Sequence, residues 1–174
     1  VLNTSPPLTV SSLGNQITVT RASSTDVYLG GTFVLEEFAG ARNVTGITIT
    51  ENGSVDAATN LSNVELYYDL DTTAPYNCVS ESYDGSELQF GATDTNGFSG
   101  ADGVSSFTGS VALSTTQTMC VYVVLDIDRD TPDGQTIDVE ITDPSLDVLV
   151  TGVDTPKPNT VIALSGDTDI ESAT

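Results

Sequence analysis

The stretch TMCVYVVLDIDRDTPDG, Thr118–Gly134, decides how the chain is read. Met119 to Leu125 is an unbroken run of apolar and aromatic residues. That length suits a strand and is short for a buried helix. Side chains alternate across a strand, so a run that is apolar at both parities has both faces covered and belongs in the middle of a core. Asp126, Asp128, Asp130 and Asp133 follow at once, and Thr131-Pro132-Asp133-Gly134 is turn chemistry. A central strand running into an acidic turn is the expectation. Asp126 shares parity with Tyr122 and Val124, so the expected inward row of this strand ends in a carboxylate at a sheet edge.

The neighbouring segments read the same way. In Val64–Leu70 (VELYYDL), Val64, Leu66, Tyr68 and Leu70 share one face and Glu65, Tyr67 and Asp69 the other. In Thr136–Thr142 (TIDVEIT), Ile137, Val139 and Ile141 point inward. Phe33–Leu35 is apolar on both faces, and Gln16–Thr20, Val44–Thr50, Ser110–Leu113, Asp147–Val150 and Thr160–Leu164 are further strand candidates. Helical periodicity is missing, and Asn-Gly and Asp-Gly pairs punctuate the chain. Roughly eight to ten short strands with turns between them predict an all-β fold, a two-sheet β-sandwich with an N-terminal extended segment, which the resemblance given below makes immunoglobulin-like.

The 174 residues suit one domain. The expected division is an arm or donor strand over residues 1–15, the sandwich over 16–166 and a polar tail over 167–174. In the arm, a Pro pair precedes the apolar-rich segment Leu8–Leu13 and a Gly-Asn turn. That segment is either the first strand of its own sandwich or a strand that pairs with another subunit. The weakly patterned stretch Asp71–Gly103 is long for a loop inside a compact domain.

Charge removes several function classes. Twenty-five acidic residues face only Arg21, Arg42, Arg129 and Lys157, for a net charge of −21. Nucleic acid as a partner requires Lys and Arg to neutralise phosphates, and an anionic membrane surface repels such a chain. No apolar run is long enough for membrane insertion. The start VLNTSPPLTV lacks the basic and apolar regions of a secretory leader, so secretion implies a leader already removed. With no His, a Ser-His-Asp triad and a His-ligated catalytic zinc are both ruled out. No phosphate-binding glycine motif occurs, and no enzymatic activity is expected. Four Asn-x-Ser/Thr sequons, at Asn3, Asn43, Asn52 and Asn60, are a small excess over the roughly two that chance gives in a chain this rich in Ser and Thr, and they leave glycosylation open.

Two cysteines, Cys78 and Cys120, fit neither a CxxC metal site nor a redox motif. They are read as one structural disulfide, closing a loop of about 40 residues and contributing on the order of 4 kcal/mol in the chain-entropy model. An oxidising, extracellular or cell-surface setting follows.

Calcium takes six to eight oxygens at about 2.3–2.6 Å, and an extended strand would spread Asp126, Asp128 and Asp130 over roughly 13 Å. The loop must therefore curl to place them on one ion. Asp69 and Asp71 end the Tyr67-Tyr68 strand in the same manner. Converging acidic loops repel without a cation. Calcium held by Asp126, Asp128, Asp130 and Asp133, with Asp69 and Asp71, is thus one expectation, and solvated acidic turns are the other.

The segments VTGITITENGSVDAATNLSNVELYYDLD and FTGSVALSTTQTMCVYVVLDIDRDTPDGQTIDVEI resemble immunoglobulin-like surface modules of large secreted proteins of bacteria and archaea. A detached N-terminal segment, a sandwich body and an acidic, Thr-rich composition are also similar to subunits of extracellular filaments built by donor-strand complementation. Type IV pilins do not match, since they begin with a long apolar helix. The filament resemblance implies a pilus-like homopolymer, with copies of the chain as partners and subunit contacts through Leu8, Val10, Leu13, Ile17 and Val19. The module resemblance implies calcium-dependent adhesion or carbohydrate binding, with surface glycans as partners, an intramolecular first strand and a ligand face near Asp71–Gly103.

Overall fold

The computed structural model describes residues 8–174. It is 50% strand and 5% helix, the all-β sandwich expected from the sequence. In chain order the strands are β1 (Thr9–Gln16), β2 (Val19–Arg21), β3 (Val27–Tyr28), β4 (Gly30–Glu36), β5 (Arg42–Glu51), β6 (Leu61–Asp71), β7 (Leu88–Gln89), β8 (Val104–Leu113), β9 (Thr118–Ile127), β10 (Gln135–Ile137), β11 (Val139–Ile141), β12 (Val148–Val150), β13 (Ile162–Ala163) and β14 (Thr168–Glu171). Two single helical turns, α1 (Ala57–Asn60) and α2 (Pro144–Asp147), interrupt them.

One sheet runs β1-β4-β9-β6-β7, with β3 also on β9, and every ladder in it is antiparallel. A second is built on β5, which pairs with β8 along one edge and with β12 and β11 along the other, while β13 continues from β11. The third is small, β10-β14-β2, and β14–β2 is the only parallel ladder among the described strands.

The two large sheets face each other across one core. Met119, Val121, Val123 and Leu125 of β9 meet Phe33 and Leu35 of β4 and Leu66 of β6, together with Ile47 and Ile49 of β5, Phe107 of β8 and Ile141 of β11. Residues 118–125 are all buried, as a strand covered on both faces requires. The other parity of β9 serves a second, smaller cluster. Cys120 and Tyr122 pack with Val34 and Cys78, joined by Tyr28, Tyr67 and Tyr83. This corrects the expected parity: the row that ends in Asp126 lies on the outer side of the sheet, and the opposite row takes the main core.

The structure redraws both ends of the expected division. Leu8 to Gln16 belongs to the sandwich as an edge strand of the first sheet, and residues 1–7 of the expected arm lie outside the described residues. The expected polar tail contains β14, whose Thr168 and Ile170 are buried while Asp169 and Glu171 are exposed. The long 72–103 segment has little regular structure. It is pinned to β9 by the Cys78–Cys120 disulfide, with Cα atoms 5.7 Å apart.

Candidate functional site

The expected subunit contacts fall on β1 and the residues on either side of it. That strand pairs antiparallel with β4 from Thr9↔Glu36 to Leu13↔Thr32, then slips by a bulge before Gln16↔Gly30. Gly30 has φ +79° because a side chain there would strike Asn15 O and Ile17 N. Leu8 and Val10 are buried in the main core, Ile17 is half-buried, and Leu13 and Val19 are exposed. The chain thus fills with its own segment the groove that donor-strand complementation would leave for a neighbour.

The outer side of β1 meets the returning C-terminal segment, which runs parallel to it. Thr9 bridges Lys157, Asn15 bridges Ser165, and β2 then pairs with β14 through Val19↔Asp169, Thr20↔Ile170 and Arg21↔Glu171. Backbone hydrogen bonds join the two segments into a seam at both ends of β1 and along β2: Val10 N to Lys157 O (2.8 Å), Lys157 N to Leu8 O (2.9 Å), Gln16 N to Ser165 O (2.8 Å), Asp169 N to Thr18 O (3.0 Å) and Ala22 N to Glu171 O (2.8 Å). Side chains add to it. The buried Gln16 amide donates to Ile137 O and Thr168 Oγ1 and accepts from Val139 N, so it spans the break between β10 and β11. Thr168 Oγ1 donates to Ile17 O at 2.6 Å. The scarce cations gather nearby: Arg21 pairs with Glu171 at 3.4 Å, and Arg42 ties Glu37 (2.9 Å) to Asp154 (3.3 Å) in the loop leading to Lys157.

The sequence-expected metal residues are spread over separate neighbourhoods. Asp126 accepts from Asp26 N (2.8 Å) and Asn63 Nδ2 (2.7 Å), Asp128 Oδ1 from Asp130 N (2.8 Å), and Asp133 from Ser172 N (2.9 Å). Asp128, Asp130 and Asp133 are exposed. Among the described residues, no three acidic, His or Cys side chains converge as a metal-holding group. Asp71 lies apart from them, wholly buried. Its Oδ1 accepts from Thr73 N (2.9 Å) and Ser80 Oγ (3.3 Å), and its Oδ2 from Cys78 N (2.9 Å). These bonds hold a backbone in which Tyr76 and Cys78 both have positive φ, a conformation that costs about 1 kcal/mol or more per non-glycine residue. Asp71 is therefore the organiser of the disulfide loop. Burial and the charges of Glu87, Glu81 and Asp84 push the Asp69 carboxyl above its ordinary range.

A buried carboxylate that the sequence reading passed over is Glu51. Its Oε1 accepts from Gly53 N (2.7 Å) and Asp138 N (3.0 Å), and Gly53 is required because a side chain there would collide with Thr136 O. Glu51 Oε2 and Asp138 Oδ1 are buried with no hydrogen-bond partner. Burial, with the charges of Asp102 and Asp138, raises the Glu51 carboxyl to about 7 despite the two backbone donors. A signal was present: Glu51 continues the parity of Ile47 and Ile49 and so falls on the inward row of β5.

On the outer face of the first sheet, Tyr28, Tyr83, Tyr67 and Tyr122 stack over the disulfide with ring centroids 4.7–5.8 Å apart. Glu65 accepts from Tyr67 Oη at 2.9 Å, and that bond, with burial, pushes the phenol to about 12. The rings fill their own space. The expected ligand face near Asp71–Gly103 carries a pocket of about 300 Å³ lined by Thr73, Ala74, Pro75, Asn77, Val79 and Ser80, with no aromatic ring on which a sugar could stack.

No family model matches this sequence, and no curated protein matches it. Among the described residues no helix is long and apolar enough to cross a membrane. The buried disulfide suits an oxidising, extracellular-type environment.

Proposed function

We propose that the chain is a non-enzymatic structural module of an extracellular surface assembly, closed by its own first strand. The observation that carries this is the seat of β1: Leu8 and Val10 fill the main core, β4 pairs with the strand along one edge, and Lys157 and Ser165 latch the other. Burying two such side chains contributes about 1.5–3 kcal/mol each, so the strand adds substantially to the stability of the sandwich. The acidic surface keeps copies apart unless salt or a divalent cation screens them, and calcium enters the reading in that role.

A second reading is favoured by the position of the same strand. Beyond β4, its one ladder partner in the first sheet, β1 is held by scattered backbone bonds to Lys157 and Ser165, so it is the element that changes partners with least disturbance. Copies exchanging β1 would build the pilus-like filament, each groove finished by its neighbour.

The mass of the purified chain, measured before and after deletion of residues 1–15, separates the two. A monomer that loses its cooperative melting transition on deletion supports the closed module. Large polymers that disappear on deletion support exchange.

A further inference from the structure

The seam between the two ends of the chain has a direction, and the direction has a mechanical meaning. Residues 9–21 run through β1 and β2, with a bulge between Leu13 and Gln16, and the 157–171 segment meets them in the same sense at Thr9↔Lys157 and then in step from Asn15↔Ser165 to Arg21↔Glu171. A pull on the two ends of the chain enters at Leu8 and leaves beyond Glu171, at opposite poles of this seam. It drags the N-terminal segment backward and the C-terminal segment forward. Parallel strands loaded in this way slide lengthwise, so their hydrogen bonds bear the load together. Strands loaded from the same end open one bond at a time.

We propose that the terminal seam is a shear clamp, by which the module withstands tension applied between its two ends. This rests on the reading of the chain as a structural module closed by its own first strand. The parts of the clamp are the backbone bonds of Val10, Gln16, Asp169 and Ala22, the Thr168 hydroxyl on Ile17 O, and the Gln16 amide that ties the seam to β10, β11 and β14. The β1–β4 ladder lies along the same axis and is sheared with it. The Arg21–Glu171 pair at the far end adds a charge contact in a chain otherwise dominated by repulsion.

Forced unfolding reports the barrier to unfolding rather than the equilibrium stability, so one protein pulled in two directions is the direct test. The full chain is held at constant force in a single-molecule apparatus, first by handles on its two termini and then by handles at positions 18 and 167, both exposed and both at the leading end of the β2–β14 pair. The clamp predicts that, at the same force, the terminal geometry survives at least tenfold longer than the 18/167 geometry. Equal lifetimes, or a shorter lifetime in the terminal geometry, overturn it. The mass measurement on the deletion variant decides the module reading separately, so the failure of one is distinguishable from the failure of the other.

Discussion

Two sets of carboxylates in this molecule look alike as residue types and behave in opposite ways. Asp126, Asp128, Asp130 and Asp133 crowd together in sequence, yet they are exposed or half-exposed, and Asp126, Asp128 and Asp133 each accept from a nearby N–H, Asp128 from that of Asp130. Asp71 and Glu51 stand at the ends of strands and are wholly removed from solvent. One of these two is saturated with donors, and the other keeps a buried oxygen without a partner. Acid spacing in a sequence thus says less about consequence than the parity at which the acid leaves its strand. An ion that water still reaches costs little, and a buried one is stabilising or costly according to the donors it finds.

The comparison would break most visibly at Asp71. Asp71→Ala strands the N–H groups of Thr73 and Cys78, and a loss of on the order of 3 kcal/mol is expected in urea unfolding. A loss below about 0.5 kcal/mol would place Asp71 with the exposed set.

Glu51 comes next. A carboxyl whose pKa is raised on folding stabilises the fold fully below its unfolded value, and that contribution is lost as pH rises through the folded value. With Glu51 moved from 4.5 to about 7, stability in metal-free buffer falls between about pH 4.5 and pH 7, by at most on the order of 3 kcal/mol. Asp138 and Asp69, also raised by burial, act in the same direction. Glu51→Gln keeps an oxygen for Gly53 N and Asp138 N and removes the titration, so its unfolding free energy should be flatter over that range. An equally steep profile in the variant would assign the slope to the other carboxyls.

A smaller effect is expected at Asp126, which holds Asp26 N and Asn63 at a half-exposed site. Asp126→Ala should lower stability by about 1 kcal/mol. The smallest belongs to Asp128. Asp128→Asn should melt within about 0.5 kcal/mol of the parent, and the two should respond alike to a calcium titration followed by melting temperature. A calcium response present in the parent and absent in the variant would give the exposed turn a function that its hydrogen bonds do not.

The fold was legible where alternation was clean. β6, β9 and the β10–β11 segment were visible because inward positions carry Val, Leu and Ile and the flanking turns carry Asn, Asp and Gly. The disulfide followed from there being two cysteines and no His. β14 was hidden because Thr168 and Ile170 are flanked by Asp167, Asp169 and Glu171, so its inward pair was outweighed by charge. The parallel seam was illegible for a deeper reason: it joins residues about 150 positions apart, and no local pattern encodes which distant segment will lie beside β1. The inward parity of Glu51 is legible from Ile47 and Ile49, whereas the lack of a partner at its Oε2 depends on the fold around it.

The covalent bridge between Cys78 and Cys120 has a consequence for durability. Most of the irregular 72–103 segment, from Cys78 onward, lies inside the ring that this bond closes. A protease that cuts the exposed backbone anywhere from Val79 to Gly103 would open the ring without releasing a piece, since the halves stay joined through sulfur. The cut would show in a gel only after a reducing agent is added. A chain nicked once in this stretch therefore still holds together.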